Sequence, residues 1–235
     1  MQAPQSASTS PGTTPRRRWP WYLLILAIGA CLLFTFHRPL LTRTAQLLIF
    51  EESPHPDAAT VVWTGDGRLE LAQQLWSDKP TNPILIMSKK LDRLEANRFV
   101  PSEAETTREL LKKAGIPSDV LQIIQIESRN DWDFARELAR WLDSHPEKGL
   151  NILFDRFETR RIHHILERTL GQEISRVRMI ALPNVEYDET NWWKVKAGQL
   201  EMLNNSLWYL STLLRGEVRD PLPDWEIEDF EAKLP

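Results

Sequence analysis

"VVWTGDGRLELA", residues 61–72, passes from a β-branched apolar run through Gly65 and Gly67 into a stretch where Leu69, Leu71, Ala72, Leu75 and Trp76 recur with helical period. A strand that turns on glycines into a helix is the first half of a parallel βαβ unit. The alternation then repeats. Strands are predicted at 60–63, 83–87, 120–126, 150–154 and 177–182. Between them, Ser102-Glu103-Ala104-Glu105 forms a capping box that opens a helix stopped by Gly115 before Ile116-Pro117. Asn130 or Asp131 caps another helix running to about Leu142, and a third covers 159–170 with Gly171 as its stop. Residues 191–215 read as one long helix or a broken pair. The expected fold class is therefore α/β: a three-layer Rossmann-like parallel sheet of about five strands with helices on both faces, preceded by one transmembrane helix.

The chain of 235 residues suits one anchor and one globular domain. Residues 1–18 read as a disordered cytoplasmic tail, 19–37 as the transmembrane helix, 38–56 as a connector, 57–216 as the α/β domain and 217–235 as an acidic tail. Residues 19–36 carry no charge, and 18 residues of helix span about 27 Å, close to the thickness of a bilayer's hydrocarbon. Arg16-Arg17-Arg18 places the N-terminus in the cytoplasm, with Trp19, Trp21 and Tyr22 as an interfacial belt. The expected location is the cytoplasmic (inner) membrane, single-pass, with the C-terminal domain extracytoplasmic. The competing reading is a lipoprotein anchored at Cys31, because Ala27-Ile28-Gly29-Ala30-Cys31 resembles a bacterial lipobox; the apolar run that continues to Phe36 argues against it. As the single cysteine, Cys31 allows neither an intramolecular disulfide nor, in a membrane segment, thiol catalysis.

Five of the 29 basic residues and none of the 33 acidic ones fall in residues 1–50, so the remainder carries 24 basic against 33 acidic side chains. Such a domain gains nothing from neutralising phosphates along a polymer, and nucleic acid is not expected as a partner. His163 and His164 are adjacent, about 100° apart on a helix, and lack zinc spacing; no metal site is expected. No Gly-x-Ser-x-Gly elbow is present. Of the ten tryptophans, Trp76, Trp141, Trp192, Trp193 and Trp208 fall on expected helices, where packing competes with a sugar-stacking role.

In an open parallel sheet, ligands bind beyond the carboxyl ends of the strands. The loops there read Thr64 to Arg68, Ser88 to Lys90, Glu127 to Asn130, Asp155 to Glu158 and Asn184 to Tyr187. Gly65, Asp66, Gly67 and Arg68 offer backbone amides at a helix start, suited to an anion, although a full GxGxxG and a P-loop Lys are both lacking. A plain tight turn is the alternative reading.

The Gly-x-Gly-Arg turn, "SEAE" opening a helix, "GIPSDVLQIIQIESRN" and the later "FDRFETRRI" together resemble the YdcF/SanA/ElyC family, a domain of unknown function often anchored in bacterial envelopes. The resemblance covers roughly residues 57–216 and implies ligand-binding positions at Gly65, Gly67, Arg68, Ser88, Glu103, Glu127, Ser128, Asn130 and Arg161; Asp66 and Asp155 adjoin these in the same loops. It also implies a role in peptidoglycan or lipid-carrier biogenesis or barrier maintenance. A phosphorylated or lipid-linked envelope precursor would be the partner, and S-adenosylmethionine or another nucleotide-like molecule the ligand. Where the family carries histidine in "TSDFHxxRA", this chain has Glu158, which replaces a neutral-pH proton shuttle by a group titrating near pH ~4.3.

By residue chemistry, Arg68 and Arg161 can clamp a phosphate or carboxylate, and Glu127 and Glu158 are the candidate catalytic bases or hydroxyl binders. Local explanations stay open: Glu127 and Arg161 pairing with each other, Ser128 and Asn130 capping the helix, and Arg68 solvated. Two functions remain, an envelope enzyme or ligand-binding domain and a noncatalytic envelope scaffold with a degenerate pocket.

Overall fold

The computed structural model describes residues 19–63, 69–89, 101–126 and 130–216, without the side chains of Pro20, Ala30 and 32–34. The predicted N-terminal and C-terminal tails lie outside these residues, as do the predicted site residues Gly65, Asp66, Gly67, Arg68, Glu127 and Ser128. The chain divides into two compact units, one up to Leu40 and one from Leu41 onward.

The second unit is built on a five-stranded sheet of β1 (Ala59–Trp63), β2 (Ile84–Lys89), β3 (Leu121–Ile126), β4 (Leu150–Asp155) and β5 (Val177–Leu182). All pairings are parallel and the strand order is β3-β2-β1-β4-β5. This is the Rossmann-like α/β arrangement expected. Every predicted strand lies within one or two residues of its observed bounds, because each is a short β-branched or leucine run bounded by turn residues. The helices of the described residues are α1 (Trp19–Gln46), α2 (Leu69–Asp78), α3 (Glu103–Lys113), α4 (Asp131–Ser144), α5 (Thr159–Leu170) and α6 (Lys196–Arg215).

Side-chain alternation along the strands divides the core into two halves. Val61, Leu85, Met87, Leu150 and Ile152 point to one face and pack with Phe134, Leu138 and Leu142 of α4 and Ile162, Ile165 and Leu166 of α5. Val62, Ile84, Ile86 and Leu153 point to the other and pack with Ala72 of α2 and Ala104 and Leu111 of α3. On the first face Phe134 meets Trp63 and Phe154 edge-on, with centroids 5.3 and 5.4 Å apart. Three layers result, with helices on both faces.

Local signals match the predicted ends. The Ser102 hydroxyl accepts from the Glu105 amide at 3.1 Å, and Asn130 Oδ1 accepts from the Trp132 amide at 3.0 Å. Gly115 and Gly171, the predicted stops, take φ of +91° and +56°, conformations disfavoured for other residues.

The helix predicted at 19–37 continues nine residues further, to Gln46, with Pro39 inside it. The rest of the predicted connector is docked on the sheet unit. Ala45 and Leu48 are buried with Phe157, Tyr187 and Met202, and the Glu52 amide donates to the Met179 carbonyl of β5 at 2.9 Å. Further on, Asn151, buried in β4, exchanges two 2.9 Å hydrogen bonds with the His55 backbone, which gives both its amide oxygen and its amide nitrogen a partner. Among the described residues, no helix is long and apolar enough to cross a membrane.

Candidate functional site

The strand order places a topological switch between β1 and β4. From β1 the chain winds outward through β2 and β3, then returns to the other side of β1 for β4 and β5. In such sheets the crevice at the carboxyl edges of the two switch strands is where ligands sit. On the β1 side the description ends at Trp63, and residues 64–68 lie outside the described residues. Its β4 side is well defined: Asp155 ends the strand, Arg156–Glu158 make one 3-10 turn, and α5 starts at Thr159.

The turn is held by the connector and not by a side-chain cap of its own. The Leu48 carbonyl accepts from the Arg160 amide at 3.0 Å, the Arg160 guanidinium donates to the Ile49 carbonyl at 2.9 Å, and the Phe50 amide donates to Thr159 Oγ1 at 2.9 Å. Thr159 Oγ1 in turn donates to the Arg156 carbonyl at 2.8 Å. An amide of the first helical turn, which no intrahelical partner can reach, is thereby satisfied by a segment more than a hundred residues away.

Arg161 lies one turn into α5 with its side chain 11% exposed, and pairs with Asp131 and, at 3.9 Å, with Glu158. Among the described residues its head group is thus held by the carboxylates of Asp131 and Glu158; Glu127, the partner that sequence reasoning considered, lies outside them. Arg156 lies across the Glu189 carboxylate at 3.1 and 3.2 Å, with Glu51 at 3.7 Å. The other end of the site comes from α6, whose Glu201 accepts a hydrogen bond from the Tyr187 hydroxyl. Glu201 is half-buried, and burial, followed by the negative charges of Asp155 and Glu158, pushes its pKa up to about 7. Tyr187 stacks on Phe157 with centroids 6.3 Å apart. Gly198, one helical turn before Glu201, admits this packing: a Cβ there would come within 3.0 Å of the Tyr187 ring.

The fold therefore brings together Asp155, Glu158 and Arg161 of the predicted set, with Asn130 at the adjoining end of α4 next to Asp131. Two predicted residues stand elsewhere. Ser88 is inside β2, not after it, buried and donating to the Lys89 carbonyl at 3.1 Å. Glu103 is exposed in the first turn of α3. A shallow concavity along α3, lined by Pro101, Glu105, Arg108 and Lys113, includes none of the predicted residues.

Sequence reasoning missed Asp131, Arg156, Tyr187, Glu189 and Glu201. Glu201 had no local signal, because it lies in a leucine-rich helix and acquires its surroundings only from β4 and the loop after β5. Among the described residues no cluster of His, Cys, Asp and Glu is arranged to hold a metal ion. Chemically, the β4 edge offers a proton-holding carboxyl beside carboxylates, which suits hydroxyl recognition or proton transfer better than grasping an anion. No family model matches the chain, and no curated protein matches it.

Proposed function

We propose that this chain is a membrane-anchored extracytoplasmic domain of the YdcF/SanA/ElyC type that binds a nucleotide-like or phosphorylated envelope precursor at the β1–β4 switch point. The observation that carries the reading is the cluster of Asp155, Glu158 and Glu201 on the β4 side of that crevice, with Tyr187 bonded to Glu201. Carboxyl groups there accept from ribose or sugar hydroxyls. The phosphate is assigned to Gly65-Asp66-Gly67-Arg68, which precede α2 in the sequence, because glycine amides and a guanidinium suit an anion. The uncharged run 19–36 and the Arg triplet before it support the anchor, and peptidoglycan or lipid-carrier biogenesis or barrier maintenance is the corresponding role.

A second reading has one observation in its favour. Arg161, the residue best suited to clamp an anion, is taken up by Asp131 and Glu158, as in a noncatalytic envelope scaffold whose pocket has degenerated.

Thermal unfolding of the detergent-solubilised full chain distinguishes the two. Uridine nucleotides, nucleotide sugars, S-adenosylmethionine and an isoprenoid phosphate are the probes. A true ligand at a hundred times its dissociation constant stabilises by about 2.7 kcal/mol, and Arg68→Ala and Glu201→Gln should each reduce the shift. A flat response to every probe, or a shift that survives both substitutions, rejects the ligand-binding reading in favour of the scaffold.

A further inference from the structure

Behind the carboxyl cluster, α5 and α6 run side by side in the same direction. Phe157, just ahead of α5, shares a buried cluster with Met202. His164 meets Tyr209 edge-on with ring centroids 6.4 Å apart, and Arg168 Nη1 lies 3.6 Å from where a Cβ on Gly216 would stand. Steps of four, three and four residues carry one face from Phe157 through Arg161 and His164 to Arg168. Arg161 therefore falls at the level of Asn205, which lies between Met202 and Tyr209. Three polar atoms of this seam are buried without a hydrogen-bond partner among the described residues: Arg161 Nε, His164 Nε2 and Asn205 Oδ1. Asn205 is 2% exposed.

An unmatched buried donor or acceptor is costly, and folded interiors match nearly all of them, with protein groups or with internal water. The set here is mixed. Arg161 Nε only donates, Asn205 Oδ1 only accepts, and His164, which burial keeps neutral near pH 7, does either at Nε2. The amide oxygen disfavours an anion and the guanidinium a cation. A neutral molecule that both donates and accepts suits all three, and a buried water typically makes about three hydrogen bonds.

We infer that the α5–α6 seam binds an internal water held by Arg161, His164 and Asn205. Glu201 is one turn before Asn205 on α6, and Glu158 stands three residues before Arg161. The water thus fixes from behind the spacing of the carboxyl groups at the crevice, and Asn205 is a positioning residue for Glu201. This holds whether or not the crevice takes a ligand.

Three measurements on the detergent-solubilised full chain test the seam. Crystals diffracting to about 1.8 Å should show a water within about 3.2 Å of Asn205 Oδ1 and of at least one of the two nitrogens. A direct protein partner for Asn205 Oδ1, or no water there, overturns the proposal. In urea unfolding, Asn205→Ser should have a folded-to-unfolded ratio at least threefold higher than Asn205→Ala, because the two differ by one oxygen that the water can bond. Alanine is the better helix former, so a dry seam gives the reverse order, and alanine equal or better overturns the water. Glu201→Gln removes a charge that burial penalises, and the stability it gains at pH 8 should fall to less than half in an Asn205→Ala background, where a loosened α6 lets solvent reach the carboxylate. An undiminished gain overturns the positioning role.

Discussion

Arg161 and Glu201 are charged residues whose roles depend on neighbours distant in the chain. With its side chain 11% exposed, Arg161 stands between carboxylates that are themselves 27–29% exposed. Removing one partner of such a network leaves the others short of a countercharge. Arg161→Met should therefore destabilise by about 2–3 kcal/mol in urea unfolding, with most of that recovered when Asp131→Asn is added. A single variant as stable as the parent would show that the pair holds nothing.

Glu201 titrates in the opposite sense to a salt-bridged carboxylate. Its folded pKa of about 7 lies above the ordinary value of 4.5, so the folded state binds the proton more tightly than the unfolded one. The group costs nothing below about pH 4.5. Its charge then erodes stability as the pH rises, with the loss complete a little above pH 7. Glu201→Gln keeps an acceptor for the Tyr187 hydroxyl without that charge. At pH 8 it should be more stable than the parent by roughly 1–2 kcal/mol, a figure discounted for partial exposure, and at pH 4.5 the difference should vanish. Denaturant midpoints of the two chains across this range decide it. An unchanging difference would place Glu201 in an ordinary solvated setting. His163 and His164 act in the other direction, for burial holds both below their usual value. Folding therefore loses stability as they are forced to protonate below about pH 6.5, which is why the comparison must be between variants and not read from one curve.

At the scale of elements, the segment after α1 has the most to do with the site. Composition reads it as a linker, two prolines and a polar end after a short amphipathic stretch, whereas Leu48 is 4% exposed against Phe157, Tyr187 and Met202. The carbonyls of Leu48 and Ile49 hold Arg160. Leu48→Ala should cost about 2–3 kcal/mol, as for a buried leucine whose cavity only partly collapses. It should also loosen the turn between β4 and α5, read as faster amide exchange at Thr159 and Arg160. A chain begun at residue 53 should unfold at a lower temperature than one begun at 41. Equal midpoints would return the segment to the status of a tether.

For the whole molecule, the reading of residues 19–37 as an anchor rests on charge and length. Trp19, Trp21, Leu23, Ile25, Leu26 and Ile28 are all more than half exposed on α1, an unfavourable arrangement in water. Alkaline phosphatase joined after residue 216 should be active outside the cytoplasm, and replacing Arg16, Arg17 and Arg18 by Glu should reduce that activity several-fold. Activity of a cytoplasm-dependent reporter at the same junction would reverse the orientation.

What the sequence by itself determined is the layered fold: five apolar runs of strand length alternating with helices, three of them with a legible cap or glycine stop, admit little besides a parallel sheet with helices on both faces. Those signals are local, within reach of a few residues' sterics and hydrogen bonds. Site membership was legible only where it follows from that topology, as for Asp155 at the end of β4. Only the tertiary structure decided that Arg161 answers to Asp131, that Glu201 joins Asp155 and Glu158, and that the connector's carbonyls complete α5. Each of those depends on Coulomb and hydrogen-bond partners between 30 and about 110 residues apart, a distance over which no periodicity or capping rule carries information.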